Sequence, residues 1–161
     1  MQIHSYVPFV AALIPLATGW FWYHPGIFGN AWMKLVNMNP EKPSPKNMLL
    51  MFAGVYLFAL MIAVMLMPMV VHQFSLQSVF QGDTSRASEN FMNNFLELYG
   101  DRFRTFKHGA LHGTLAALFF ALPFIGTAAI FEKRGFKYIA IHTGYWVLSL
   151  AIMGGYICEF L

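Results

Sequence analysis

The stretch from Asn47 to His72 reads NMLLMFAGVYLFALMIAVMLMPMVVH and contains no charged residue. A helix that crosses the hydrocarbon core of a bilayer, which is roughly 30 Å thick, needs about 20 consecutive apolar residues. This stretch exceeds that length, so it predicts a membrane-spanning helix. Pro68 lies near its end and can introduce a kink, because proline lacks the N–H that continues the helical hydrogen bonds.

The rest of the chain has the same apolar character. Of its 161 residues, 58% are hydrophobic and 11% are charged, whereas about 25% of an average soluble domain is charged. A soluble protein of this size buries only about 70% of its chain surface, so much of this apolar surface would face water. The composition therefore predicts a single integral membrane domain over residues 1–161.

Four apolar runs of spanning length predict an all-α fold, an integral membrane four-helix bundle. Besides the run at 47–72, they cover about residues 5–23, 108–131 and 137–158. Only a few residues separate the last two runs, which predicts an antiparallel helical hairpin. No basic residue precedes the first run, so we expect no removable signal peptide.

The distribution of basic residues predicts the orientation, because Lys and Arg are retained in cytoplasmic loops. The long second loop carries four of the ten basic residues, and the first and third loops carry six: Lys34, Lys42, Lys46, Lys133, Arg134 and Lys137. We therefore expect both termini outside the cytoplasm. In the first loop, the prolines at 39–45 predict an extended surface link.

The long second loop, residues 73–107, contains a helical pattern. Residues 83–85 can cap a helix, and Phe91, Phe95 and Leu98 then follow at helical spacing among polar residues. This pattern predicts an additional amphipathic helix lying on the membrane interface. An alternative is a helix that caps the bundle or contacts a partner.

The segment from Trp20 to Lys34 reads WFWYHPGIFGNAWMK. It resembles the first signature of the family named domain of unknown function 1761, in which an apolar helix ends in Trp-Tyr before a Pro/Gly turn, Phe-Gly and a Trp-Met pair. The second half of the chain is similar as well, in Phe131 to Arg134, Gly144 to Trp146, and Met153-Gly154. The matching positions of the first signature are Trp22, Tyr23, Pro25, Gly29 and Trp32. The resemblance implies a small multi-span protein of a bacterial inner membrane, whose termini the charge bias then predicts on the periplasmic side. It implies no reaction.

Four of the six histidines fall at one end of the predicted bundle. They are His4, His72, His108 and His112, and Glu159 lies at the same level on the fourth run. The i, i+4 spacing of His108 and His112 puts two imidazoles on one helix face. Imidazole binds zinc, copper, nickel or iron, and two histidines on different helices can hold a haem iron. The alternative is a set of polar residues at the headgroup level.

Small and polar residues mark further positions within the spans. Gly109 and Gly113 on the third run, with Gly144 and Gly155 on the fourth, predict close helix packing, either inside the bundle or in self-association. His142 lies inside the fourth run, where an ionisable residue is a candidate functional site. Its alternative is a structural hydrogen bond to Thr143, to Thr127 or to a backbone carbonyl.

Other functions find little support in the chain. It has no Gly-x-Ser-x-Gly elbow, no phosphate-binding glycine loop and no His-Glu-x-x-His run. Its basic residues are scattered, which argues against nucleic-acid binding, and its single cysteine, Cys158, cannot form an internal disulfide. The leading hypothesis is a non-enzymatic accessory or interaction subunit that contacts the bilayer and itself or other membrane proteins.

Two further hypotheses remain open at this level. One is a membrane-embedded metal- or haem-binding protein that uses His72, His108 and His112 with His4 or Glu159. The other is a small oligomeric transporter or channel, which would need a polar lining that the charge-free second run does not offer.

Overall fold

The computed structural model describes residues 3–38 and 44–161, and these residues form helices and no strand. The all-α fold is confirmed. Most of the extended link predicted at residues 39–45, including Lys42, lies outside the described residues. In chain order the helices are α1 Val7–Trp22, α2 Asn30–Val36, α3 Pro45–Val70, α4 Gln73–Val79, α5 Arg86–Tyr99, α6 Phe106–Phe131 and α7 Phe136–Phe160.

Three of these helices, α3, α6 and α7, are long and apolar enough to cross a membrane. Helix α1 is apolar but shorter than 18 residues, and its regular turns are interrupted at Ala12 and Leu13. Proline has no N–H, so Pro15 cannot donate to the carbonyl of Ala11, and the helix restarts around it. The described fold is thus three helices of spanning length with a shorter apolar helix beside them.

Helix α7 lies at the centre and packs against α1, α3 and α6. Half of the most apolar stretch of α7 is buried, compared with 17% for α3 and for α6. The outward surfaces of the flanking helices carry large apolar side chains such as Leu49, Phe124 and Phe131, which are more than 70% exposed. Such a contiguous apolar exterior is unfavourable in water and favourable in lipid.

The helices alternate in direction, so the bundle has two ends. The start of α1 meets the ends of α3 and α7 through buried Val7, Val70 and Ile157, and the N–H of His4 donates to the carbonyl of Leu161 over 2.9 Å. We call this the histidine end, defined by His72, His108 and His112. The opposite end is the aromatic end, defined by Trp22, Tyr23, Trp32 and His142.

The closest helix pair is α6 and α7, which meet backbone to backbone. A Cβ atom added to Gly109 would overlap the carbonyl of Gly154, and one added to Gly113 would overlap the carbonyl of Leu150. Only glycine permits this approach. The pairing fixes the rotation of α6 about its axis, and this rotation decides where its histidines lie.

One turn in the middle of α6 is wider than the rest, a π turn at Ala117–Ala121. Pro123 lies just after it and cannot donate to the carbonyl of Phe119, so the regular ladder is broken there. The apolar pattern of the third run gave no sign of this local change.

The second loop contains two helices, α4 and α5. Ser85 caps α5 by accepting from the N–H of Ser88, so a helix lies where the apolar spacing predicted one. The buried amide of Gln73 donates to the carbonyls of Tyr99 and Arg102 over 2.9 and 3.1 Å. This side chain links the start of α4 to the end of α5 and to the segment that follows it, and so holds the loop over the histidine end.

Candidate metal centre

Three histidines converge at the histidine end. The imidazoles of His72, His108 and His112 each offer one ring nitrogen, and these three nitrogens all lie within 4.8 Å of one another. The Nε2 atoms of His72 and His108 are 3.0 Å apart. The ring centroid of His112 lies 4.9 Å from that of His72 and 4.5 Å from that of His108. Histidines separated by 36 residues in sequence therefore form one cluster.

Helix α6 contributes two of these imidazoles from one face. His108 and His112 are one turn apart, so their side chains project in the same direction. Each is followed directly by a glycine, Gly109 or Gly113, that packs against α7. Because neighbouring residues on a helix point about 100° apart, the glycine contact with α7 turns the histidines towards the end of α3.

His72 enters the cluster because α3 ends just before it. Val71 leaves the helical conformation with φ −113° and ψ 92°, and the chain changes direction into α4. The carbonyl of Val70 loses its helical partner and instead accepts a hydrogen bond from Sγ of Cys158, 3.2 Å away. This explains the buried cysteine as a structural residue beneath the cluster.

The start of α6 is fixed by its own cap and by a tight turn. Oγ1 of Thr105 accepts from the N–H of His108 over 3.3 Å. Phe103 adopts a left-handed conformation with φ 64°, and its ring stacks on the His108 imidazole at 5.2 Å with an interplanar angle of 19°. The imidazole of His108 is therefore supported on one face before any ligand binds.

The dimensions of the cluster suit a small metal ion. Zinc binds imidazole nitrogen at about 2.0–2.1 Å, which puts two tetrahedral nitrogen ligands about 3.3 Å apart. The 3.0 Å between Nε2 of His72 and Nε2 of His108 is close to this value, and a modest rotamer change would bring in His112. Haem does not fit, because its ring must lie between two axial nitrogens and this pair is already at hydrogen-bond distance.

A cavity of about 310 Å³ adjoins one of the three histidines, His72. Its other lining residues are Gln73, Phe95, Tyr99, Arg102 and Phe103. The Arg102 guanidinium lies over the rings of Tyr99 and Phe103, at 5.6 and 5.2 Å. A metal ion held by three imidazoles keeps a fourth position for water or an anion. The cavity beside His72 provides space for such a ligand, and the Arg102 guanidinium provides a positive charge.

Two other predicted ligands do not belong to the cluster. Nδ1 of His4 is 3.0 Å from the carbonyl of Phe160, so its ring is occupied by a hydrogen bond to the end of α7. Glu159 is exposed. Within the described residues no carboxylate joins the three imidazoles.

The aromatic end gathers the residues of the family signature. Trp22 donates from Nε1 to the carbonyl of Ile141 over 3.0 Å, and its ring covers Gly144. The Tyr23 ring packs against the Trp32 ring at an interplanar angle of 55°, with ring centroids 5.1 Å apart. These contacts join the end of α1 and the helix α2 to α7.

The turn between them depends on two further signature positions. Pro25 begins a single π turn, Pro25–Gly29, and its carbonyl accepts from the Asn30 amide over 2.9 Å. Gly29 is buried, and a Cβ atom there would overlap the carbonyl of Tyr23. The turn therefore needs glycine at position 29.

His142 has a partner that sequence reasoning missed. Its Nδ1 lies 3.1 Å from the hydroxyl of Tyr23. Its Nε2 has no hydrogen-bond partner, so neither Thr143 nor Thr127 is bonded to this ring. The two residues are 119 positions apart, so no local pattern could indicate the pair. From the sequence, His142 could be selected only by the general rule that an ionisable residue inside a membrane span is a candidate functional site.

The fold and the cluster define a class: a small helical protein with three helices of membrane-spanning length and a three-histidine cluster at one end. The chain belongs to the family described as protein of unknown function (DUF1761), whose model matches residues 7–158. No curated protein and no solved structure matches it. The family resemblance drawn from the aromatic signature is confirmed.

Proposed function

We propose that this chain is a membrane protein that binds one divalent transition-metal ion through His72, His108 and His112. The observation that carries the proposal is the convergence of three imidazole nitrogens within 4.8 Å, from helices far apart in sequence. Imidazole ligands without carboxylates favour Zn²⁺, Cu²⁺ or Ni²⁺ over Mg²⁺ or Ca²⁺. The role of the site is to hold or pass on such an ion.

The exposure of the site supports an accessory role. His72 is exposed at the surface of the bundle, so an ion can enter and leave from that side. This feature fits an accessory subunit that presents an ion to another protein.

The proposed setting is a bacterial inner membrane crossed four times. Helix α1 serves as the fourth span beside α3, α6 and α7, and the contact of His4 with Leu161 supports termini on one side. The bias of basic residues towards the other side supports a periplasmic location for the histidine end. Helix α5 then lies on the periplasmic membrane surface.

The proposal is tested by titrating Zn²⁺ into the purified protein in detergent, with a competing chromophoric chelator as the readout. We expect one equivalent to bind. His108→Ala and His112→Ala should each weaken binding by at least about 100-fold, because even the loss of a residue that only orients a ligand costs about 10–100-fold.

His4→Ala is the matched control, because it removes a histidine at the same end of the bundle but outside the cluster. This variant should bind Zn²⁺ as the unchanged protein does. Unaltered affinity in both α6 variants, or an equal loss in His4→Ala, would rule out the three-histidine site.

A further inference from the structure

A second cavity lies near the aromatic end, among α1, α3 and α7. Its volume is about 310 Å³, at the small end of the range of about 300–1,000 Å³ for ligand pockets. Val55 and Phe58, on its α3 side, are exposed on the apolar exterior of the bundle. The lining residues are Pro15, Tyr23, Val55, Phe58, Ala59, His142, Tyr145 and Trp146. A molecule that reaches this cavity through the apolar exterior must itself be lipid-soluble.

The lining is aromatic on several sides. Tyr23 and Tyr145 have ring centroids 5.4 Å apart, and Tyr145 and Trp146 are 4.9 Å apart. The hydroxyl of Tyr145 already donates to the carbonyl of Pro15 over 3.0 Å, so this ring offers mainly its face. Flat aromatic walls favour a flat ring in the ligand.

One residue of this lining, His142, has an unsatisfied polar atom. Nδ1 of His142 is paired with the hydroxyl of Tyr23, whereas Nε2 of the same ring is buried and has no hydrogen-bond partner. A buried polar atom without a partner costs about 1–3 kcal/mol. A protein can tolerate this cost in its unbound state where a ligand supplies the missing partner on binding.

The His142–Tyr23 pair can present either hydrogen-bonding role at Nε2. When the Tyr23 hydroxyl donates to Nδ1, Nε2 carries the proton and donates. When Nδ1 carries the proton and donates to the Tyr23 oxygen, Nε2 accepts. The ring carbonyl of a quinone needs a donor, and the hydroxyl of the corresponding quinol needs an acceptor. The uncharged His142–Tyr23 pair can therefore form a hydrogen bond with the quinone and also with the quinol.

From the cavity, its aromatic walls and the unpaired Nε2, we infer that this site binds the head group of a lipid-soluble quinone. His142 is its hydrogen-bond partner, after a small shift of the ring that brings the buried Nε2 to the cavity surface. The volume suits a head group of one or two rings, whose apolar tail extends past Val55 and Phe58 into the lipid. The site is at the opposite end of α7 from the three histidines, so it does not depend on the metal proposal.

The test uses a decyl-substituted benzoquinone added to the full-length protein in lipid nanodiscs. Quinones quench tryptophan fluorescence, and Trp146 lines the cavity, so binding should appear as saturable quenching. His142→Phe removes the hydrogen bond and Val55→Phe fills the cavity from its exposed edge. His142→Phe should raise the half-saturating quinone concentration at least about tenfold, the effect of one buried hydrogen bond. Val55→Phe should raise it as well, because the added ring occupies the space of the head group.

Val64→Phe is the matched control, because Val64 lies on the same helix, is also exposed and does not line the cavity. It should leave the quenching unchanged. A second readout needs no variant: in protein labelled with ¹⁵N-histidine, the Nε2 resonance of His142 should shift when the quinone is added. Non-saturable quenching that is equal in all variants, or an unmoved His142 resonance, would overturn the inference.

Discussion

Single glycines on α6 decide how the histidine end is built. Gly113 and Gly109 bring the α6 backbone against α7, and His112 and His108 precede them in the sequence. A side chain at either glycine would push the helices apart and move the imidazoles. The geometry of the candidate metal site therefore depends directly on the packing of these two glycines against α7.

We therefore expect Gly113→Ala to lower the free energy of unfolding by about 1–3 kcal/mol, the usual cost of overpacking. The added methyl group would overlap the carbonyl of Leu150. The measurement is unfolding of the detergent-solubilised protein, followed by circular dichroism.

Gly126→Ala on the same helix is the control, since its Cβ would meet no atom within 4 Å. Alanine is the better helix former, so this variant should be neutral or more stable by up to about 1 kcal/mol. Equal effects of the two substitutions would contradict the close approach of α6 and α7.

The sequence predicted all three residues of the histidine cluster, but it also predicted two residues, His4 and Glu159, that lie outside it. His108 and His112 follow from helical spacing, and His72 follows from the alternating direction of the spans. His4 and Glu159 were predicted at the same level, but a span boundary locates a side chain only to within a turn. The hydrogen bond of the His4 ring to Phe160 depends on a tertiary contact that no local pattern indicates.

Among the elements, α5 shows how a surface helix is fixed at its start. The carboxylate of Asp83 accepts hydrogen bonds from the hydroxyl of Ser88 and from the N–H of Ser85. These bonds, with Ser88 the larger cause, lower the pKa of Asp83 below its ordinary value of 3.8. A lowered pKa means that the ionised form stabilises the cap above pH 3.8, and that this stabilisation is lost as the pH falls through the folded-state pKa.

Asp83→Asn should therefore speed amide hydrogen exchange at the start of α5 near neutral pH. The difference from the unchanged protein should disappear in strong acid, where Asp83 is itself protonated. Exchange is measured by mass spectrometry on peptides covering residues 83–90. Asp101→Asn, at an exposed site after α5, should leave these peptides unchanged, and an equal acceleration in both variants would contradict the cap.

The apolar side of α5 remains exposed, with Phe91 at 50% and Leu98 at 73%, which supports a location at the lipid surface. A nitroxide label on Leu98→Cys should collide with dissolved oxygen more than with a water-soluble nickel complex. Glu89 is nine residues away, two and a half turns, so a label on Glu89→Cys should show the reverse.

Cys158, the only native cysteine, is buried, so the labels will report on the introduced positions. Both labels accessible to nickel would contradict a membrane-surface helix. They would favour the rival interpretation, in which α5 caps the bundle or contacts a partner.

The sequence predicted the long helices well and did not predict the short helices α2 and α4. Uncharged runs bounded by charges gave α3, α6 and α7 to within a few residues, because the length of a span is dictated by the bilayer. Helix α2 and the π turn within α6 depend on local backbone geometry around Pro25 and Pro123. Apolar periodicity does not report such geometry.

For the whole molecule, the alternating direction of the helices predicts opposite exposure of its two ends. Asn94→Cys, on α5, should react with a membrane-impermeant maleimide in intact cells. Glu132→Cys, between α6 and α7, should react only after permeabilisation. The reverse result would keep the spans and overturn the orientation, whereas labelling of both positions in intact cells would contradict a membrane crossing by α6.

The most direct test of the metal proposal is X-ray absorption spectroscopy of the protein purified from its own membrane without added metal. We predict a near-stoichiometric transition metal whose spectrum shows three imidazole nitrogens at about 2.0–2.1 Å, and which is lost in His108→Ala. A protein without a stoichiometric metal, or a metal whose coordination shell lacks imidazole, would contradict the proposal.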